Sequence, residues 1–179
     1  MTAHRSGATC SLDTRLADGR TPALALRDAT TDDDPFLFRV YADSRRNELA
    51  CVAWTETQRL AFLASQFATQ YRYYREHYAG ATYHVVVADG ESVGRLFVAR
   101  WPNETRIMDI ALVTEFRGIG IGTRVLGALC AEADATGAPI GIHVEKQNLA
   151  RHLYARLGFE PRDDRGVYWY LVRTPRAVS

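Results

Sequence analysis

The feature that most constrains this chain is the stretch TEFRGIGIGT at residues 114–123, where glycine occupies every second position from Gly118 to Gly122. Glycine loses more conformational entropy on folding than other residues, so such a run needs a reason. An apolar run precedes it and a helical pattern follows it, and free N–H groups at a helix N-terminus bind anions. The stretch predicts a phosphate or pyrophosphate cradle with contacts from Arg117 and Arg124. The alternative is a turn that only lets helix and strand pack closely.

Hydrophobic periodicity predicts one α/β domain after a polar tail at residues 1–22. The first helix has Asp34 at its cap, and the second has a capping box of Thr55 with Gln58. The predicted order is a strand (23–29), two helices (32–50 and 55–78), a three-strand meander (83–113) with a hairpin at Asp89-Gly90, a glycine-led helix ending at Gly137, a strand (140–145), a short helix (148–158) and a closing strand (167–173). This order builds a mixed sheet with helices on both faces, in which only the strand–helix–strand unit around the glycines must be parallel.

The composition of the chain argues against several classes of protein. The 179 residues carry a net charge of +1, whereas a nucleic-acid binder should show a clustered basic surplus. Cys10, Cys51 and Cys130 have no metal-binding spacing, and we expect Cys130 to be a packed core thiol. No apolar segment has the length of a signal peptide or a membrane span, so we expect a cytoplasmic protein without a membrane partner. Length and charge leave monomer and homodimer open.

Three phosphate-binding patterns compete for the glycine stretch. The P-loop requires a lysine that is absent here. The dinucleotide fingerprint fits Gly118 and Gly120, with Glu145 near the position of a ribose-binding acid, but Thr123 replaces its last glycine and the chain after Glu145 is too short for a second nucleotide-binding half. The third pattern, R-x-x-G-x-G, is filled by Arg117, Gly120 and Gly122.

A second motif, NLARHLYARLGF at residues 148–159, favours the third pattern. Together with ALVTEFRGIGIGTRVL it resembles the GNAT superfamily of acetyl-CoA-dependent N-acetyltransferases. The resemblance is clearest over residues 83–172. It implies a single domain over residues 23–175, whose mixed and mostly antiparallel sheet has a V-shaped gap between the strands at 105–113 and 140–145.

The resemblance also implies which residues hold acetyl-CoA. The pantetheine arm would pair with the main chain at the end of the strand before the glycines, and Asn148 would contact that arm. The pyrophosphate would lie on the glycine loop. The implied residues are Ala111, Leu112, Val113, Arg117, Gly118, Ile119, Gly120, Ile121, Gly122, Thr123 and Asn148.

Two catalytic roles follow from the same resemblance. Tyr154 matches the usual general acid, which would protonate the departing thiolate from a desolvated site even though a phenol has a pKa near 10 in water. Asp109, on the strand before the glycines, is the candidate base, with a structural ion pair as its alternative and His143 as its rival. Neither motif contains a cysteine that could carry the acetyl group, so we expect direct attack by a primary amine.

The acceptor site is the least specified part of the sequence. We expect its residues to come from the region between the two early helices and from the loop before the last strand. Candidates for the first region are Gln66, Gln70, Tyr73 and Tyr74, and in the loop Asp163 and Asp164 could attract a cationic amine. A small molecule and a peptide amine are both open as acceptors. Two other functions stay in play: a non-catalytic acyl-CoA sensor or scaffold of the same fold and, more distantly, a nicotinamide- or flavin-linked oxidoreductase that uses the glycines and Glu145.

Overall fold

The computed structural model describes residues 21–46, 48–49 and 52–176. Residues 1–20 of the predicted tail, Cys10 and Cys51 lie outside the described residues. Cys130 is 7% exposed, as expected of a packed core thiol. In the part of the chain that is described, no helix combines the length and the apolarity that crossing a membrane requires.

The described residues form seven strands and four α-helices, in nearly the predicted order. The strands are β1 (Leu24–Asp28), β2 (Thr82–Ala88), β3 (Glu91–Trp101), β4 (Glu104–Leu112), β5 (Ile140–Glu145), β6 (Glu160–Arg165) and β7 (Tyr168–Arg173). The helices are α1 (Asp34–Arg45), α2 (Glu56–His77), α3 (Ile121–Thr136) and α4 (Arg151–Arg156).

The strands form one sheet in the order β1-β2-β3-β4-β5-β7-β6, which is antiparallel except between β4 and β5. That parallel pairing comprises only Thr105 with Ile140, Arg106 with Gly141 and Ile107 with Ile142. Beyond these pairs the two strands continue without partners in each other. The predicted V-shaped gap is therefore confirmed, and its walls are the second half of β4 and the second half of β5.

A β-bulge interrupts β4 where the gap opens. Val98 of β3 faces Ile107, and the next residue back, Phe97, faces Asp109, so Met108 is an extra residue on β4. A bulge of this kind changes which way the following side chains point and increases the local twist.

Helices cover both faces of the sheet, as predicted. Leu126 and Leu129 of α3 belong to the larger apolar core, together with Ile107 and Ile142 of the sheet. On the other face, Leu37 of α1 packs with Val85, Phe97 and aromatic residues of α2. This division separates an apolar face under α3 and α4 from a more aromatic and charged face under α1 and α2.

Local signals in the sequence are confirmed at two positions and were wrong at two others. Thr55 caps α2 by accepting a hydrogen bond from the Gln58 amide, and the hairpin turns at Asp89 and Gly90, both with positive φ. The first helix ends at Arg45 rather than near residue 50, and its capping position is Asp33 rather than Asp34.

The predicted loop before the last strand is strand β6, which we missed because all six of its residues are exposed and show no apolar alternation. It is held by its pairing with β7, and its charges suit a sheet edge that must not pair with other chains.

Candidate active site

The glycine stretch forms a bare backbone loop at the N-terminus of α3. After a short 3-10 turn at Thr114–Phe116, Gly118 and Gly120 adopt φ values of 77° and 87°, which only glycine accommodates easily. Within the described residues, none of the backbone N–H groups from 118 to 123 donates a hydrogen bond to a protein acceptor. Six consecutive donors beside the positive end of a helix dipole have the geometry that favours an anion.

Gly122 distinguishes the two interpretations of the glycines, a phosphate cradle and a turn that only allows close packing. Its backbone is helical, so its conformation does not require glycine. A Cβ atom added there would lie 3.6 Å from Leu153, which is ordinary contact. Close packing of helix and strand therefore does not explain this glycine. Gly122 lines a groove of about 700 Å³, so its missing side chain leaves the groove floor open.

Arg117 links the start of the glycine loop to the end of β4 and to α1. Its Nε donates to the Leu112 carbonyl at 2.8 Å, and its Nη2 lies 3.1 Å from Asp43 of α1. The same Asp43 carboxylate accepts from the Thr114 amide and from the Thr114 hydroxyl, both at 2.6 Å. We call Asp43, Thr114 and Arg117 the Asp43 clamp, because they tie α1 to the start of the glycine loop.

The expectation that Arg124 contacts the anion was wrong. Arg124 is 5% exposed, and its Nη1 donates to the Pro22 carbonyl at 2.7 Å. The residue lies in the first turn of α3, where its side chain is directed to the segment before β1. Its guanidinium therefore links α3 to the segment before β1.

The groove beside the glycines meets a second cavity of about 340 Å³. The second cavity, which we call the acceptor cavity, lies on the face covered by α1 and α2. Five residues line both spaces: Ser44, Ile110, Ala111, Asn148 and Tyr154. These residues mark a passage through the gap between β4 and β5.

The predicted cofactor residues divide by position. Those lining the groove are Ala111, Leu112, Arg117, Gly118, Gly122, Thr123 and Asn148. Val113 and Ile121 are buried in the core, while Ile119 and Gly120 belong to the loop but do not line the groove. The side-chain oxygen of Asn148 accepts a hydrogen bond from the Ala150 amide at 2.8 Å, so this residue shapes the start of α4.

Tyr154 lies in the passage itself. It is 4% exposed, and its ring packs edge-on against Phe159 with centroids 5.6 Å apart. No group in the described part of the chain forms a hydrogen bond with its hydroxyl. Burial, with a smaller contribution from the charge of Asp109, raises the pKa of this hydroxyl above its usual value. The phenol is therefore protonated at neutral pH and has an open donor.

Asp109 lies in the acceptor cavity as half of an ion pair. Its carboxylate is 2.6 Å from Nη2 of Arg95, which is 2% exposed. The Arg95 guanidinium also donates to the Leu37 carbonyl and lies 5.3 to 5.7 Å from the ring centres of three aromatic residues, Tyr41, Phe67 and Phe97. Removing one member of such a pair strands the other charge, so Asp109 has a structural role whatever else it does.

His143 lies on the same cavity wall, with its ring stacked on Tyr170 at 4.8 Å between centroids. Partial burial, followed by the charges of Arg106 and Arg165, lowers the pKa of His143 below its usual value of 6.5, against the opposing charges of Glu104 and Asp163. The imidazole is therefore neutral at pH 7. Its Nδ1 lies 3.5 Å from Nη1 of Arg106, and because a guanidinium only donates, Nδ1 is the ring nitrogen that can accept a proton.

The predicted acceptor residues are only partly brought together. Gln70 and Tyr74 line the cavity, and the Tyr74 hydroxyl donates to the Met108 carbonyl at the bulge, at 3.1 Å. Gln66 and Tyr73 are exposed and do not line it, and Tyr73 stacks on His77 instead.

The prediction that Asp163 and Asp164 line the acceptor site was wrong. Both lie on β6 in ion pairs at 2.7 Å, Asp163 with Arg165 and Asp164 with Lys146. Neither lines the acceptor cavity.

Sequence reasoning pointed to the region between the two early helices but did not name the residues that α1 and the turn after it contribute. Tyr41, Ser44, Arg45 and Glu48 all line the acceptor cavity. Tyr41, Ser44 and Arg45 lie on one face of α1, and Glu48, in the turn after it, continues the same i, i+3, i+4, i+7 pattern; that periodicity was the available signal. Glu145 also lines this cavity and does not line the glycine groove, so it does not face the loop as a ribose-binding acid would.

Comparison with known proteins identifies the class. Residues 31–159 match the acetyltransferase (GNAT) family, which is most of the chain, and the protein belongs to that family. This finding confirms the resemblance and removes the oxidoreductase alternative. Among curated proteins, none matches the sequence.

Several solved structures share the fold at low sequence identity. The PaiA N-acetyltransferase of Thermoplasma acidophilum, in complex with coenzyme A, is 16% identical over 84% of this chain and 98% of its own, with a TM-score of 0.64. RimL, a ribosomal L7/L12 α-N-protein acetyltransferase in complex with coenzyme A, is 17% identical over 91% and 98%, with a TM-score of 0.59. The ribosomal-protein-S18-alanine N-acetyltransferase of Escherichia coli is 16% identical over 87% and 96%, with a TM-score of 0.56.

The Asp43 clamp gives a test of stability and of its pH dependence. We expect Asp43→Asn to lower the free energy of unfolding by about 1–3 kcal/mol at pH 7, because the carboxylate is 10% exposed and accepts three hydrogen bonds. Burial acts to raise the pKa of Asp43, but the bonds from Thr114 and the charge of Arg117 outweigh it and hold that pKa below its usual value.

A lowered native pKa stabilises the fold above the unfolded value of about 4, and this contribution is lost as the pH falls through the native value. The difference between wild type and Asp43→Asn in urea denaturation should therefore shrink below about pH 4. Asp32→Asn, at an exposed carboxylate, is the control. A difference that is the same at pH 3 and pH 7 would contradict this account.

Proposed function

We propose that this protein transfers the acetyl group of acetyl-CoA to a primary amine by direct attack. The observation that carries the proposal is the junction at Tyr154, where a groove ending on six unbonded N–H groups opens into a polar cavity. The family supports an acetyltransferase, and the structures of PaiA and RimL with coenzyme A support that cofactor. The α-amino acceptors named for RimL and for the Escherichia coli enzyme support an amine as the acceptor.

The residues of the groove fit acetyl-CoA. The N–H groups of residues 118–123 would bind the pyrophosphate, and the absence of a Cβ at Gly122 gives it room. Ala111 and Leu112 belong to the part of β4 that has no partner in β5, and they line the groove. Their main chain is therefore suited to pair with a pantetheine arm added like a strand. Arg117 would support this site indirectly, because the Asp43 clamp holds the loop.

Tyr154 is the proposed general acid. When bound, acetyl-CoA supplies a thioester whose carbonyl carbon accepts the amine and whose sulfur leaves as a thiolate. The raised pKa of Tyr154 keeps the hydroxyl protonated at neutral pH, so a proton donor is present where the thiolate leaves. Desolvation in the passage also raises the basicity of that thiolate, which favours the proton transfer. Water is largely excluded at this position, because the side chain is 4% exposed.

His143 is the proposed base, in preference to Asp109. Both line the acceptor cavity, but the Asp109 carboxylate is engaged by the buried Arg95 whereas the imidazole is neutral. A neutral imidazole can take the proton of an ammonium at pH 7 without breaking a buried ion pair. Asp109 would then hold Arg95 and the cavity floor in place.

The cradle can be tested with a substitution that the fold tolerates. We expect Gly122→Glu to weaken acetyl-CoA binding by roughly 100-fold or more, because it places a carboxylate beside the pyrophosphate and like charges repel by several kcal/mol. Gly127→Glu, on the same helix and with nothing within 4 Å of its Cβ position, is the matched control. Isothermal calorimetry with acetyl-CoA makes the measurement, and equal affinities for the two variants would reject the cradle.

Tyr154→Phe tests the acid. We expect turnover, measured as thiol release in the presence of an amine, to fall by roughly 10²–10⁴-fold while acetyl-CoA affinity is retained. Tyr73→Phe, at an exposed phenol outside the cavity, should behave like wild type. Full turnover in Tyr154→Phe would make this residue a packing residue. If wild type binds acetyl-CoA but releases no thiol with any amine, the non-catalytic alternative is correct.

The pH profile separates the two candidate bases. If His143 is the base, kcat/KM falls as the pH drops through its pKa, which lies below 6.5. His143→Gln should abolish this acid limb, and Asp109→Asn should retain it even though the loss of the ion pair lowers stability. The opposite result would assign the base to Asp109.

A further inference from the structure

The charges lining the acceptor cavity do not cancel. Among the described residues, the cavity lining has three carboxylates, Glu48, Asp109 and Glu145, and two guanidinium groups, those of Arg45 and Arg95. Arg95 pairs with Asp109 at 2.6 Å, and Arg45 pairs with Glu48 at 3.1 Å. Since His143 is neutral at pH 7, one negative charge is left over.

The surplus charge belongs to Glu145. Among the described residues, no cationic side chain lies within 4 Å of its carboxylate, and its one hydrogen bond is from the Tyr168 hydroxyl at 3.4 Å. Arg45 lies close enough to feel the charge of Glu145, but its contact is with Glu48. A carboxylate on a cavity wall with one long hydrogen bond has room to accept from a ligand.

Strand alternation brings Glu145 and His143 to the same cavity. Ile142 and Val144 of β5 are buried in the core under α3, so His143 and Glu145 project from the opposite face. The cross-strand partners of this pair on β7 are Tyr170 and Tyr168. A cation held at Glu145 is therefore next to a neutral imidazole on the same strand.

We propose that Glu145 and Tyr168 form the subsite that binds the acceptor as its alkylammonium ion, an inference that rests on the proposed function. An alkylammonium has three donors, of which the Glu145 carboxylate and the Tyr168 oxygen accept two. The third N–H proton passes to His143, giving an imidazolium and a neutral amine. The lone pair left on nitrogen then forms the bond to the acetyl carbonyl carbon while the C–S bond breaks. The Tyr154 hydroxyl gives its proton to the leaving thiolate, and the second proton lost by the new amide nitrogen restores that hydroxyl.

This subsite defines the class of acceptor. It selects primary amines that are positively charged at neutral pH and discriminates against acceptors with an anionic group next to the amine, which would face Glu145. Small aliphatic amines and peptide N-termini share this chemistry. The cavity of about 340 Å³ is at the small end of ligand sites.

The test compares amines that differ in charge but little in shape. Ethylamine is charged at neutral pH, 2,2,2-trifluoroethylamine is not, and Ala-Gly-Gly amide represents a peptide N-terminus. KM and kcat for each are measured by thiol release at saturating acetyl-CoA, in wild type, Glu145→Gln and Glu91→Gln. Glu91 is an exposed residue at the start of β3 and does not line the cavity, so its variant controls for the loss of one negative charge.

We expect Glu145→Gln to raise KM for ethylamine and for the peptide roughly tenfold, while KM for trifluoroethylamine changes by less than about twofold. Acetyl-CoA affinity should be retained. The ratio of kcat/KM for ethylamine and for the peptide identifies which source of alkylammonium the site prefers.

The outcomes separate the two proposals. An unchanged KM for the charged amines in Glu145→Gln, an equal loss for charged and neutral amines, or an equal effect of Glu91→Gln would overturn the subsite alone. A wild-type protein that does not bind acetyl-CoA would overturn the proposed function. Thiol release from none of the three amines, with acetyl-CoA bound, would overturn both.

Discussion

The parallel pairing of β4 with β5 is limited to three residue pairs, and the active site depends on that limit. A full ladder would close the gap, bury the backbone of Ile110 to Leu112 and separate the groove from the acceptor cavity. Because the strands diverge, the unpaired main chain of β4 borders the groove instead, and Tyr154 lies in the passage between the two spaces. The bulge at Met108 lies at the point of divergence, and the Tyr74 hydroxyl bonds to its carbonyl.

The Asp43 clamp joins the two sides of this passage. Asp43 lies on α1, whose Tyr41, Ser44 and Arg45 line the acceptor cavity, and its carboxylate holds Thr114 and Arg117 at the start of the glycine loop. A shift of α1 therefore changes the acceptor wall and the anchoring of the loop together. The arginine of the R-x-x-G-x-G pattern serves this connection, since its Nε binds the Leu112 carbonyl.

The acetyl-CoA side of the site was predictable from sequence because its residues belong to short motifs. The residues of the acceptor cavity were harder to predict because they come from segments far apart in the chain. The glycines, the start of α3 and the position of Tyr154 follow from short motifs whose residues act within one turn or one strand. The acceptor wall contributed by α1 adjoins β4 only through the fold, more than sixty residues away in sequence. Strand β6 was not predicted because all six of its residues are exposed and, apart from Pro161, charged, so it shows no apolar alternation; the ion pairs of Asp163 and Asp164 lie on that strand.

Strand β5 shows why Glu145 was informative in sequence but misleading in role. Its position at the end of a strand after a glycine loop is that of a ribose-binding acid. However, side chains alternate between the two faces of a strand, and this alternation turns Glu145 away from the glycine groove. Ile142 and Val144 must face the core under α3, which commits His143 and Glu145 to the opposite face of the sheet. The glycine groove is formed by α3, α4 and the edge of β4, and Glu145 is not among its lining residues. One strand therefore supplies the apolar support beneath the donor site and the polar groups of the acceptor site, and exchanging the two sets would bury an unpaired carboxylate in the core.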